Sequence, residues 1–326
     1  MNETEIGIDQ PGQRLATPAI VCEGCVKLWA DLRKVWKTML ESYRMYPGQP
    51  KTLFTKTSEH HQITVTDDGE VRHLKFGDSL QSGMYVVDPA RSDFRYTEYF
   101  HLAWVFKRDI QSVLFLGLGG GSTPKKFHTD YPTITMDIVE IDPAVVEVAE
   151  HFFHFEPGPR LNVIVDDARA YLEKSTKRYD LIVHDAYFSE AVPFHLMTRE
   201  FFHLAVKRLA PTGVFAFNLI SDVVGPESSL FRAVYKCWLE LFTAIHVFPV
   251  EGKRNIAMIG CLTGEPVPKD EVVRRAAQLR EEWGNVPLLE THAKHMRTAK
   301  VRTDDIPFLT DEVSGSEGDR GYVSVR

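Results

Sequence analysis

Apolar positions change their spacing twice along the chain, and each change marks a boundary. Trp29, Leu32, Trp36, Met39 and Tyr43 follow Cys25 in alternating steps of four and three, one stripe of an amphipathic helix stopped by Tyr46-Pro47-Gly48. Such a helix packs on its own domain or forms a contact with a second copy. From residue 52 the pattern alternates instead. Gln62-Ile63-Thr64-Val65 predicts a strand, Asp67-Asp68-Gly69 a hairpin turn, and 71–76 the return strand. A further strand near 83–87 ends at Asp88-Pro89, completing a small antiparallel unit, and 96–106 predicts a helix leading onward.

From Ser112 the rhythm becomes strand, turn, helix, repeated. Strands are expected at 113–116, 135–139, 161–165, 179–183 and 213–218, and helices near 122–130, 143–152, 167–175, 198–209 and 228–242. This alternation predicts an α/β fold, a parallel sheet with helices on both faces. Two more strands, 244–248 and 256–261, joined through Glu251-Gly252-Lys253-Arg254, suit an antiparallel hairpin closing the sheet. A charged helix at 269–283 and a polar tail at 314–326 follow. The expected organisation is an extension over 1–50, a small β domain over 51–94, a Rossmann-like catalytic domain over 95–265, and a C-terminal helix and tail over 266–326.

Composition narrows the function. Of 326 residues, 44% are apolar and 25% charged, ordinary for a soluble globular protein, and the formal charge is −7. Negative charge disfavours phosphate backbones, so no nucleic-acid partner is expected, and a cationic substrate is compatible. No apolar run reaches the roughly 18–20 residues of a membrane helix, and the polar N-terminus has no signal pattern. Four cysteines do not make a disulfide framework. The chain reads as cytoplasmic.

The first strand of the α/β unit runs into Gly117-Leu118-Gly119-Gly120-Gly121-Ser122 and then a helix, a geometry that lets backbone approach a ligand and offers free amides. Glu140, ending the second strand, can take ribose hydroxyls. Asp167-Ala168, after the third, offers a carboxylate to an adenine amino group. With the closing hairpin, this describes an adenosyl-sulfonium site better than a dinucleotide one. The fourth strand ends in His184-Asp185-Ala186-Tyr187, so Asp185 should face the same cleft unless it caps a helix. The loop over 187–197 is a candidate lid.

These residues resemble the polyamine aminopropyltransferase family, the spermidine synthases and their relatives, over roughly 52–262. His61-Gln62-Ile63-Thr64-Val65 stands where the family opens its β domain; Asp78-Ser79-Leu80-Gln81, Tyr96-Thr97-Glu98, Glu140-Ile141-Asp142, Asp167-Ala168 and Asp185 match further motifs. The resemblance implies a methyltransferase-type Rossmann-like fold, decarboxylated S-adenosylmethionine (or S-adenosylmethionine) as co-substrate, no metal, and a homodimer or larger homo-oligomer. It implies that Gln62, Gly117, Gly119, Gly121, Glu140, Asp142, Asp167 and Ala168 hold the nucleoside. Asp185 and Tyr96 would be catalytic, Asp185 accepting the proton of the attacking amine. Gln81, Glu98, Tyr187 and Phe188 would meet the amine or polyamine substrate.

Departures accompany the likeness. The family's loop aspartate, which holds the aminopropyl amine, is Gly120 here, and the second carboxylate after the fourth strand is Phe188. Thr97 replaces a polyamine-contacting residue. The pattern, with Thr303-Asp304-Asp305, is similar to a divergent spermidine-synthase-like branch, and putrescine is expected to be a poor acceptor. Competing readings are an S-adenosylmethionine-dependent methyltransferase and a non-catalytic nucleoside-binding subunit. Cys22 and Cys25, His60-His61, and His151 with His154 fall short of a four-ligand zinc set.

Overall fold

The computed structural model describes residues 49–188, 191–284 and 288–312. The amphipathic 25–45 segment, Cys22 and Cys25, and the tail over 314–326 lie outside the described residues. The described residues belong to one compact unit that contains two sheets.

The first sheet is antiparallel, in the order β1 (Lys51–Thr57), β2 (Gln62–Asp67), β3 (Val71–Phe76), β4 (Ser79–Tyr85) and β5 (Asp88–Ser92). Its β1 is not visible as an alternation in the sequence, because both of its faces are largely exposed. The strand expected at 83–87 instead starts at Ser79 and ends at Tyr85. Asp88-Pro89, expected to end it, opens β5, an edge strand where proline's missing N–H breaks no necessary ladder bond. Ile63, Val65, Leu74, Phe76 and Met84 share one buried face, as a period of two requires. That face packs on Ala144, Val145 and Val148 of the helix Pro143–Phe152, which flanks the second sheet.

Residues 96–106 are helical, in three consecutive pieces: α1 (Tyr96–Tyr99), a 3₁₀ turn (Phe100–Leu102) and α2 (Ala103–Phe106). They lead into the second sheet, ordered β11-β12-β10-β9-β6-β7-β8. Its strands are β6 (Ser112–Leu116), β7 (Thr135–Glu140), β8 (Leu161–Val165), β9 (Tyr179–His184), β10 (Leu209–Ile220), β11 (Ala244–Pro249) and β12 (Asn255–Cys261). β8, β7, β6, β9 and β10 run parallel; β12 pairs antiparallel with β10, and β11 with β12. The connecting helices are α3 (Ser122–Asp130), α4 (Pro143–Phe152), α5 (Ala168–Lys174), α6 (Arg199–Lys207) and α7 (Ser229–Trp238), followed by α8 (Lys269–Trp283) and α9 (Leu289–Ala293).

Both faces of this sheet are covered. Val113 and Phe115 join one core layer, Leu114 and Leu116 the other, which is why the strands read as continuous apolar runs. β10 is longer than the expected 213–218 because its start pairs with Tyr179 before the ladder resumes at Val214. The chain builds β6, β7 and β8 in one direction and then returns to lay β9 on the other side of β6. The carboxyl ends of β6 and β9 therefore flank a topological switch point, the place where such sheets bind ligands. No helix among the described residues is long and apolar enough to cross a membrane.

Candidate active site

A cavity of about 850 Å³ opens at this switch point. Its floor is the glycine loop after β6. Gly117 has φ +98°, and a Cβ there would lie 2.5 Å from the Asp185 carbonyl oxygen, so only glycine lets the ends of β6 and β9 approach this closely. The backbone N–H of Asp185 donates to Leu116 at 2.9 Å, fixing the two ends together.

Glu140 ends β7 and is buried. One carboxylate oxygen accepts from the Leu118 amide and the other from the Asp142 amide, both at 3.0 Å. Burial raises its carboxyl above the usual range against these bonds. Glu140 thus shapes the loop as well as facing the cavity. Asp167 caps α5, accepting from the Ala170 amide at 2.9 Å, while its second oxygen lies 3.1 Å from His195 Nε2 on the 187–197 loop. Burial alone would raise this carboxyl, but the His195 and backbone hydrogen bonds outweigh it and hold it below its usual value.

Asp185 follows β9 directly and caps no helix. The Tyr96 hydroxyl donates to its Oδ2 at 3.1 Å, and Asn218 Nδ2 donates to its Oδ1 at 2.9 Å. The Asn218 carbonyl oxygen in turn accepts from Asn255 Nδ2 at 3.0 Å, which fixes the amide with its NH₂ toward Asp185. Burial pushes the Asp185 carboxyl up to about 7, and its two hydrogen bonds restrain the rise. Burial and the adjacent Asp185 charge raise the Tyr96 phenol well above its usual value. Tyr187 donates to the Asn218 backbone carbonyl at 2.9 Å. A half-buried carboxyl near neutrality, gripped by two donors, can take up and release a proton at physiological pH.

The cavity wall brings together Gly117, Gly119, Glu140, Asp167, Ala168, Asp185, Tyr96, Gln81, Tyr187 and Phe188. It does not bring in Gln62, Asp142, Gly121 or Glu98. Strand alternation sends Gln62 to the exposed face of β2 and turns His61 inward, stacked on Phe76 with ring centres 3.8 Å apart. Burial lowers the His61 ring to about 4. Asp142 is a buried cap of α4, spent on the Ala144 amide at 2.9 Å and on the Ser58 hydroxyl. Gly121, in the left-handed region, starts α3 behind the cavity wall. Glu98 points to His292, 2.8 Å away. Asp304 and Asp305 pair with Arg302 and Arg232 outside the cavity.

Gly120 leaves no room for the carboxylate that the resemblance expects. A Cβ there would lie 2.9 Å from the Ser82 Cβ and 3.0 Å from the Phe153 ring, and the Ser82 hydroxyl accepts the Gly120 amide at 2.8 Å. Sequence reasoning missed His61, Ser82, His195, Asn218, Asn255, Lys253 and Arg254, all on the cavity wall. For His61 the signal existed, since it shares parity with Ile63 and Val65. His195 lies on the 187–197 loop expected as a lid, and the others reach the cavity through sheet pairing.

The spermine/spermidine synthase domain family matches residues 93–231. A polyamine aminopropyltransferase of Vibrio vulnificus is 35% identical over 199 residues, 58% of this chain and 66% of that protein. The human eEF1A lysine and N-terminal methyltransferase is 29% identical over 156 residues, 44% of this chain and 22% of that protein. These matches thus span just under two thirds and about a fifth of the relatives' lengths. A probable spermidine synthase from Corynebacterium glutamicum shares the fold, with TM-score 0.59 at 20% identity over 78% of this chain and 99% of that one. The glycine loop, Glu140, Asp167 and Asp185 all fall within residues 93–231, the part of the chain that is similar to the spermine/spermidine synthase domain family.

Proposed function

We propose that the chain is an aminopropyltransferase, moving the aminopropyl group of decarboxylated S-adenosylmethionine to an amine or polyamine and releasing methylthioadenosine. The observation that carries this reading is the Asp185 carboxyl, brought to about 7 by burial and held between Tyr96 and Asn218 beside the glycine loop. An alkyl amine, with a pKa near 10, arrives protonated at pH 7 and must lose a proton to attack. Asp185 takes that proton. The nitrogen lone pair then forms a bond to the carbon next to the sulfonium, and the carbon–sulfur pair leaves on sulfur as a neutral thioether. Positioning of the two reactants supplies much of the remaining acceleration.

In this reading Glu140 accepts from the ribose hydroxyls, Asp167 and the Ala168 backbone take the adenine edge, and Gly117 and Gly119 admit the nucleoside close to the chain. Gln81 faces the transferred group, while Tyr187 and Phe188 wall the acceptor. The His195–Asp167 contact at 3.1 Å ties the 187–197 loop to the adenine end, so nucleoside entry loosens or shares it. The reading includes a cytoplasmic homodimer or larger homo-oligomer working without metal, membrane or nucleic acid. The charge of −7 supports the last point, and light scattering tests the first.

One observation favours a second reading, methyl transfer from S-adenosylmethionine. The Ser122 hydroxyl at the start of α3 is buried with no partner among the described residues, and suits a donor that keeps its carboxylate. Thermal shift with methylthioadenosine, S-adenosylmethionine and its decarboxylated form, followed by chromatography of the products, separates the two. Release of methylthioadenosine with an amine supports aminopropyl transfer; S-adenosylhomocysteine as sole product refutes it.

A further inference from the structure

The acceptor side of the cavity has a charge pattern that specifies more than an amine. β10 and β12 pair with Asn218 opposite Ala257 and Ile220 opposite Asn255, which sets the turn carrying Lys253 and Arg254 beside the end of β10. The Ser221 amide donates to the Arg254 carbonyl at 3.0 Å, closing that corner. Hydrogen bonds then run inward from Asn255 to Asn218 and on to Asp185 at 3.0 and 2.9 Å. The β10–β12 side of the cavity lining is therefore Asn218, Ile220, Asn255, Lys253 and Arg254, with Asp185 at its inner end. Asp185 is its one carboxylate among the described residues, and burial leaves that group only partly ionised at neutral pH. Arg254 is paired, 3.2 Å from Asp222, but the exposed Lys253 ammonium has no partner among the described residues. The remaining cavity carboxylates lie elsewhere: Glu140 and Asp167 at the nucleoside end, Glu59 and Asp78 on turns of the small sheet.

We infer that the acceptor is an amine carrying a carboxylate at its far end, with Lys253 as the residue that reads it, supported by Arg254. This rests on the aminopropyl-transfer reading and specifies its substrate class. A diamine would carry its second ammonium toward Lys253, where like charges repel. An amino acid with a terminal amine would place opposite charge there. The chemistry is unchanged: nitrogen bonds to the carbon beside sulfur, the carbon–sulfur pair leaves on sulfur, the nitrogen proton passes to Asp185, and the carboxylate takes no part.

The test uses three amines of one chain length: 4-aminobutanoate, 1,4-diaminobutane and butylamine. Each is titrated by calorimetry into protein loaded with methylthioadenosine, and each is then assayed with decarboxylated S-adenosylmethionine. The expected preference for 4-aminobutanoate over the diamine is about tenfold, the product of removing one repulsion and adding one partly screened attraction. Lys253→Glu, a change at an exposed position, is expected to reverse the order while methylthioadenosine affinity stays constant. Tighter binding of the diamine by the natural protein overturns the inference. So does a ratio that ignores Lys253→Glu, or one that follows Glu59→Gln instead. If S-adenosylmethionine binds better than its decarboxylated form, and Lys253→Glu abolishes that difference, the carboxylate belongs to the donor and the inference also fails. Absence of methylthioadenosine binding in the first titration refutes the parent reading instead, before any amine is added.

Discussion

Asp185→Asn should make the protein slower and more stable at once. The substitution keeps the shape of the side chain and removes its charge. Asn218 still donates to the side-chain oxygen, and the Tyr96 hydroxyl can turn from donor to acceptor for the new amide, so neither existing contact at 2.9 and 3.1 Å is orphaned. In the folded protein the carboxyl titrates at about 7, raised by burial from 3.8. Below about pH 4 folded and unfolded chains both hold the proton, and the group costs nothing. Between about pH 4 and 7 the folded chain keeps a proton that the unfolded chain releases, so stability falls as pH rises. Above pH 7 the full cost applies, with a ceiling of about 4 kcal/mol and, for a half-buried group that water reaches, an expected value of roughly 2–3 kcal/mol. Urea unfolding at pH 4.5 and pH 8 measures it: the variant should gain little at the lower pH and most of that amount at the higher. Transfer should slow by about 10²–10⁴, the range for a lost general base. A stability difference independent of pH, or near-natural turnover at saturating amine, refutes the assignment.

Glu140→Ala and Asp167→Ala should each weaken methylthioadenosine binding by about 1–3 kcal/mol, with Glu140→Ala at the upper end because the Leu118 and Asp142 amides also lose their acceptor. Unchanged calorimetric affinity in both would remove the nucleoside assignment. Tyr96→Phe deletes a hydrogen bond that holds the Asp185 carboxyl down, so the acid limb of the kcat/KM profile should move to higher pH; a limb that stays in place, or moves lower, contradicts the pairing. Gly117→Ala forces a Cβ to 2.5 Å from the Asp185 carbonyl at a positive φ, and should cost at least about 2 kcal/mol in unfolding experiments. Gly120→Asp should likewise lower the melting temperature without improving putrescine use, since Ser82 and Phe153 occupy the space; a gain in putrescine turnover would show that the loop accommodates a carboxylate.

Local chemistry by itself determined the frame. The βα rhythm from Ser112, the glycine loop, and the acids ending β7 and β9 are legible because each depends on residues adjacent in the chain. The switch point then follows from where glycine and carboxylate stand relative to strand ends. Edges were read less well, because pairing partners decide them. β1, exposed on both faces, has no periodic signature, and Asp88-Pro89 opens an edge strand where the turn chemistry suggested an end.

Side-chain direction divided the site residues. Asp142 sits two positions from Glu140 and looks equally suited to a ligand, but helix capping consumes it. Gln62 and His61 are neighbours, and a period of two gives the cavity to His61. Tertiary structure alone decided the acceptor side. Asn218, Asn255 and Lys253 have no local mark of function; Asn218 reaches Asp185, Asn255 reaches Asn218, and Lys253 joins the cavity lining because β12 lies antiparallel on β10. The sign of charge facing the substrate is thus set by strand pairing between segments more than thirty residues apart, which no window of sequence contains.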